Sequence, residues 1–360
     1  MRRTGWAFWS AVGLALLIAV VLAPDWHWPV AGREIGWRAG SQVQFAPTAA
    51  EAAVMNTAPR PIAPAPADPR PASQAYKNLQ VLGDLNAGQL MQTMQAMTAW
   101  VAPKQGCGFC HAGGDYASQA NPHLAVARAM LRMTRHINTA GRGHVGAAGV
   151  TCFSCHQGQP VPASVWFAAR PRPPQPMIDR QDDWREDAKT VRNFFPFEGY
   201  EEYLLQDTPG IGQSYTALPT GQTASQIVIK RLYEAMMQMS DGMGVNCGYC
   251  HNSRAFWDWS QSTPARWQGY AGIELTRDLN RNYLLPLGQT LPQTRFRLTK
   301  AGEPGIPPHE EGATAGNGLV DCATCHHGQP KPQPIGGQAS AYPALMGAGA
   351  PSAASPGKGG

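Results

Sequence analysis

The chain has 360 residues, a net charge of +5, only 15% charged residues, and 39 Gly with 32 Pro. That length allows two modest domains, and the charge, spread without a Lys/Arg block, excludes an electrostatic nucleic-acid binder. So many turn formers beside so few charges leave little ordinary core and call for another source of buried apolar surface.

The amino terminus opens with Arg2 and Arg3 before an uncharged stretch from Gly5 to Ala23, closed by Pro24. Nineteen helical residues span roughly 28 Å, close to the hydrocarbon thickness of a bilayer. Trp6, Phe8 and Trp9 at one end and Trp26 and Trp28 beyond the other fit interfacial anchors, with the basic end in the cytoplasm. Two readings fit residues 1–24, a retained transmembrane anchor and a cleaved signal peptide ending at Val21-Leu22-Ala23, and the length of the apolar run favours the anchor. Either one exports the rest of the chain. A lipid anchor on an N-terminal Cys is excluded, because Cys107 is the first cysteine.

Residues 25–75 form a Pro/Ala-rich linker. Beyond it, all eight Cys fall in four copies of Cys-x-x-Cys-His: Cys107/Cys110/His111, Cys152/Cys155/His156, Cys247/Cys250/His251 and Cys322/Cys325/His326. Two thiols at this spacing add to the two vinyl groups of one haem, and the next residue supplies the proximal imidazole. A redox dithiol, half a zinc site or four disulfides would each explain paired Cys. None explains a His directly after every pair.

Motifs one and three resemble each other, Gly106-Cys-Gly-Phe-Cys-His111 against Asn246-Cys-Gly-Tyr-Cys-His251. Motifs two and four share a different tail, His156-Gln-Gly-Gln-Pro160 against His326-His-Gly-Gln-Pro330. The chain therefore reads as two pseudo-repeated halves, 76–160 and 223–335, each helix–loop–CxxCH twice. Residues 161–222 join them, with acidic residues gathered between Asp179 and Glu202 as a solvated face or a docking patch. A Gly/Pro/Ala-rich tail occupies 336–360. Apolar spacing predicts helices over Leu85–Val101, Pro122–Asn138, Ser225–Met239 and, shorter, Ile273–Leu285. The fold class is mainly α: a multihaem c-type cytochrome plus an N-terminal membrane helix, with little to suggest an extensive sheet.

Sixth ligands separate a carrier from an enzyme, since an open iron binds substrate. Met91, Met94 and Met97 precede motif one, Met130 and Met133 motif two, and Met236, Met237, Met239 and Met243 motif three. None lies between motifs three and four. Aligning Met133-Thr-Arg-His-Ile-Asn138 with Leu275-Thr-Arg-Asp-Leu-Asn280 sets Gly272 opposite Met130, so the fourth site lacks a helix-borne Met. Spare histidines are His27, His123, His136, His144, His309 and His327, and His144 sits in a Gly-flanked loop able to cross to the other half. His136, in mid-helix, reads as a hydrogen-bonding residue.

These motifs, the helix-borne Met, and stretches such as Ala235-Met-Met and Arg277-Asp-Leu-Asn280 resemble the tetrahaem cytochrome subunit of bacterial photosynthetic reaction centres over roughly residues 75–335. The resemblance implies four covalently bound haem c groups, three His/Met and one His/His. It pairs His111 with Met94, His156 with Met130, His251 with Met236, and His326 with His144. It sets Arg266 near the third haem, as a buried cation that raises its potential or as a solvated surface group. It further implies an electron carrier, not an enzyme, on the periplasmic face of the photosynthetic membrane. The expected partners are the reaction-centre L and M subunits and a soluble donor, a small cytochrome c or a high-potential iron–sulfur protein. The subunit would then re-reduce the photo-oxidised bacteriochlorophyll pair. The competing role is a membrane-anchored multihaem cytochrome serving a periplasmic reductase or a respiratory chain; three Met supplies argue against it. Many members carry a lipid-modified Cys that this chain lacks, which makes the N-terminal helix the expected anchor.

Overall fold

The computed structural model describes residues 12–16, 30–35, 42–47, 62–166, 198–207, 226–256, 258–289, 318–332 and 337–346. Apart from the helical stretch 12–16, the predicted membrane segment lies outside the described residues, as do residues 179–197 of the acidic stretch. Among the described residues no helix is long and apolar enough to cross a membrane.

The described residues are mainly helical. The one sheet among them is an antiparallel pair, β1 (Val30–Ile35) and β2 (Gln42–Pro47), with Arg33 opposite Gln44. The helices that position the site, among the described residues, are α1 (Ala87–Val101), α2 (Pro122–Thr139), α3 (Arg142–Val145), α4 (Phe153–His156), α5 (Gln226–Met243), α6 (Pro264–Leu279) and α7 (Cys322–His326). Their ends follow local chemistry. Asn86 caps α1 through a reciprocal pair with Gln89, at 2.8 Å and 3.1 Å. Pro122 and Pro264 open α2 and α6 at positions where a missing N–H costs nothing.

Helix α6, the fourth that apolar spacing predicted, differs from its sequence prediction. It begins at Pro264, not Ile273, and continues through a π turn to Leu284. Its first turns carry exposed Trp267 and Tyr270 with Gly269 and Gly272, so apolar periodicity emerges only further along.

Two clusters form the core. One joins Leu90 and Trp100 of α1, Leu131 of α2 and Phe153 of α4 to Tyr342, Ala344 and Leu345 from the carboxyl-terminal region. The other joins Met133 and Ile137 of α2 to Leu279 of α6, Trp166, Leu204, Leu319 and Val320. Helix α2 thus serves both. A buried Asn staples each cluster to the approach of an attachment motif. Asn138 Nδ2 donates to the carbonyls of Val150 and Leu345, each at 2.9 Å, and its Oδ1 accepts from Val150 N at 2.7 Å. Asn280 Nδ2 donates to Leu204 and Val320, and its Oδ1 accepts from Val320 N at 2.8 Å.

Candidate functional site: four Cys-x-x-Cys-His turns

Each motif occupies a single helical turn. Motifs one and three lie on 3-10 turns, Gly106–Phe109 and Cys247–Tyr249, while motifs two and four lie on α4 and α7. The His N–H of motifs one, two and three bonds back to the carbonyl of the first Cys, at 3.0, 3.0 and 2.9 Å. Residues three and four apart share a face of such a turn, so both sulfurs and the imidazole point the same way. Motifs two and four then reverse direction through left-handed Gln157 (φ 47°) and His327 (φ 49°). The next N–H ties each to a long helix: Gly158 N to Trp100 O of α1, and Gly328 N to Gly242 O of α5, both 2.8 Å.

The four histidines share one hydrogen-bond habit. Nδ1 of His111 bonds the Tyr116 carbonyl at 3.1 Å, His156 that of Gln159 at 2.9 Å, His251 that of Phe256 at 2.8 Å and His326 that of Gln329 at 2.8 Å. A carbonyl only accepts, so Nδ1 carries the proton and Nε2 keeps its lone pair, the tautomer a metal-ligating imidazole needs. His144, on α3, does the same through Gln268 O at 3.0 Å. Burial pushes the rings of His144, His156, His251 and His326 below their ordinary value, against the carbonyl bonds, and so favours the neutral form.

The structure brings His144 and His326 together, with ring centroids 5.9 Å apart. Two imidazoles on opposite sides of one metal, each about 2 Å from it, have centroids about 6 Å apart.

The methionines divide by burial. Met133, Met239 and Met243 are core residues, and Met91 is exposed. Met94, Met130 and Met236 are half-buried, as are Met97 and Met237. Thr98 and Thr134 donate to the carbonyls of Met94 and Met130, at 2.9 and 2.8 Å. Such back-bonding perturbs a helix locally. Thr93 and Thr139 make the same bond to Gln89 and Arg135, and Met236 is followed at this spacing by Ser240, so the bond does not single out methionines.

None of the eight cysteines is paired in a disulfide. Burial pushes the Cys152 thiol up to about 12 and those of Cys110 and Cys250 up to about 11. Cys155 Sγ and Cys325 Sγ, from different motifs, lie 2.7 Å apart. Among the described residues no three His, Cys, Asp or Glu converge on a point that would hold a bare ion. Trp100 Nε1, beside motif two, and Gln329 Nε2, after motif four, are buried without a partner among the described residues. Paired thiols, a ready Nε2 and unclaimed buried donors fit a large covalently held ring with acidic side chains.

The sequence profile described as "Photosynthetic reaction centre cytochrome C subunit" matches residues 29–346. The chain belongs to this family. It is 34% identical to the photosynthetic reaction center cytochrome c subunit of Rubrivivax gelatinosus over 96% of this chain and 92% of that relative. It is 37% identical to that of Thermochromatium tepidum over 76% of this chain and 64% of the relative. A third, from Roseobacter denitrificans, is 32% identical over 72% and 70% of the two chains.

Other singled-out residues of this cytochrome have structural partners. His136 Nε2 meets Asp278 Oδ2 at 2.5 Å, the hydrogen-bonding role expected of it. His123 stacks on Phe109 with centroids 4.3 Å apart, and its Nδ1 bonds the Phe109 carbonyl. His327 Nε2 bonds Ser154 O. Arg266 stacks 3.9 Å over the Trp259 ring and donates to Ser262 Oγ at 2.7 Å. Its backbone N bonds Thr263 O at 3.0 Å, and Thr263 N bonds the Cys250 carbonyl at 3.2 Å, so it stands beside motif three. His27 and His309 lie outside the described residues. Sequence reasoning missed Gln268, whose carbonyl orients His144 from a helix 124 residues away. No local signal could have found it.

Proposed function

We propose that this member of the photosynthetic reaction-centre cytochrome c family acts as its electron-transfer subunit at the photosynthetic membrane and carries four haem c groups in two dihaem halves, 76–160 and 223–335. They would be attached through Cys107/Cys110, Cys152/Cys155, Cys247/Cys250 and Cys322/Cys325. When bound, each haem supplies a one-electron Fe(III)/Fe(II) couple.

The chain's own residues hold and close these sites. His111 with Met94, His156 with Met130 and His251 with Met236 give three His/Met pairs, and His326 with His144 the His/His pair. Nδ1 bonds to backbone carbonyls fix the imidazoles, so little need rearrange when the charge changes. Cys155 and Cys325, whose sulfurs are in contact, would each hold a haem of a different half. A vacancy for substrate is absent from this assignment, so the subunit acts as a carrier and not as an enzyme. Residues 1–24 anchor it, and its globular part sits on the periplasmic face against the L and M subunits. There it takes electrons from a soluble cytochrome c or high-potential iron–sulfur protein and re-reduces the bacteriochlorophyll pair.

The observation that carries this reading is the 5.9 Å spacing of His144 and His326, two tautomer-fixed imidazoles at the separation of opposed ligands. Membranes containing the subunit test it. A flash should oxidise haem c, and haem quantification should give four per chain. A null flash response, or fewer than four haems, would overturn it.

A further inference from the structure

We propose that Gly272 sets the ligand of the fourth site: its missing side chain is the space that the His144 ring occupies. The inference rests on reading His144 as the partner of His326. A Cβ built on Gly272 would stand 2.7 Å from His144 Cε1 and 3.2 Å from both Nδ1 and Nε2. The ring is not free to swing aside. Its Nδ1 is bonded to the Gln268 carbonyl, one turn earlier on the same helix. Glycine therefore opens a notch in α6 through which an imidazole reaches backbone.

The backbone supplies no other reason for glycine here. Gly272 lies inside α6 without a positive φ, in a setting where a side chain normally favours the helix. It is also the position that corresponds to Met130 in the alignment through Asn138 and Asn280. In one half this point on the helix carries a methionine. In the other it carries nothing, and α3 of the first half packs against α6 and delivers His144 there. The choice between His/Met and His/His would thus turn on whether residue 272 has a side chain.

The test uses the intact haem-loaded subunit and compares His144→Ala, Gly272→Ala, the double variant and Gly269→Ala. Gly269 lies on the same helix with nothing within 4 Å of an added Cβ, so its variant controls for changing a glycine in α6. His144→Ala should abolish the bis-imidazole electron paramagnetic signature of one haem. Gly272→Ala should abolish the same signature, with four haems still attached and the other three unchanged. Gly269→Ala should keep it. The double variant should accumulate as well as His144→Ala alone, because the ring the new methyl would strike is gone.

Two results overturn the role of Gly272 while leaving His144 as ligand: an intact signature in Gly272→Ala, or a double variant that accumulates less than His144→Ala. The second holds even if Gly272→Ala alone fails to accumulate. An intact signature in His144→Ala instead sinks the ligand assignment on which the inference rests.

Discussion

His136 Nε2 and Asp278 Oδ2 meet at 2.5 Å, joining the third residues of two corresponding segments, Thr134-Arg-His-Ile-Asn138 and Thr276-Arg-Asp-Leu-Asn280. Matching positions of α2 and α6 thus touch each other. Each side chain is about one-third exposed, 31% and 33%, so solvent screens the pair. A double-mutant cycle with His136→Phe and Asp278→Asn should give a coupling of roughly 0.5–1 kcal/mol in unfolding of the haem-loaded protein. A coupling of zero would mean that apolar packing alone joins the helices.

Asn138 and Asn280 carry more. Each is buried and satisfies both the N–H and the C=O of a valine leading into an attachment motif, plus one further carbonyl. Alanine would leave three backbone groups unpartnered at position 138 and two at position 280, where the Val320 carbonyl keeps its bond from Trp166 Nε1, and leaving one buried group unmade costs about 1–3 kcal/mol. Allowing for partial relaxation, Asn138→Ala and Asn280→Ala should each lower unfolding stability by about 3 kcal/mol. Denaturant titration checks this, and a loss under about 1 kcal/mol would mean that water replaces the side chain.

Much of this was legible in the sequence, and the remainder fails for identifiable reasons. The four Cys-x-x-Cys-His turns were marked by spacing, although motifs one and three take a 3-10 turn and motifs two and four an α turn. Helices α1 and α2 emerged within two residues because apolar residues recur in them at three- and four-residue spacing, and the structure adds the caps Asn86 and Asn121 at their starts. The beginning of α6 was missed because Trp267 and Tyr270 face outward and Gly269 and Gly272 break the apolar stripe. The region 336–360 read as low-complexity tail, yet Tyr342, Ala344 and Leu345 are buried against α1 and α2, where a large aromatic residue and close-packed small neighbours fill a gap. The Gln268 carbonyl and the Gly272 notch depend on the approach of α3 to α6. Such long-range contacts leave no local pattern.

The assignment of Met130 makes a redox prediction. An axial thioether favours reduced iron, and imidazole in its place favours oxidised iron. Met130→His should leave all four haems attached and lower the potential of one, by a measurable fraction of the roughly 0.8 V that axial ligands span. Met133→Leu, a change to a buried core residue of α2, should leave every potential in place. If the two variants exchanged these outcomes, the ligand on α2 would be Met133.

Arg266 gives the sharpest electrostatic test. Its guanidinium lies over Trp259 and is held by Ser262 Oγ, on a helix whose cap, Thr263, bonds the Cys250 carbonyl of motif three at 3.2 Å. Ferric iron carries one more positive charge than ferrous iron, so a neighbouring cation destabilises the oxidised state and raises the potential. Taking a separation of about 10 Å and an effective dielectric of about 20 gives roughly 1.7 kcal/mol, an upper value for a group that solvent reaches. With about 59 mV per tenfold for one electron, Arg266→Gln should lower the potential of the third haem by on the order of 50 mV. Arg266→Lys keeps the charge but loses the flat contact with Trp259, and should shift the potential by less than half as much. Redox titration of the two variants separates charge from packing. Equal shifts would assign the effect to the lost stack, and no shift in either would make Arg266 a solvated surface group.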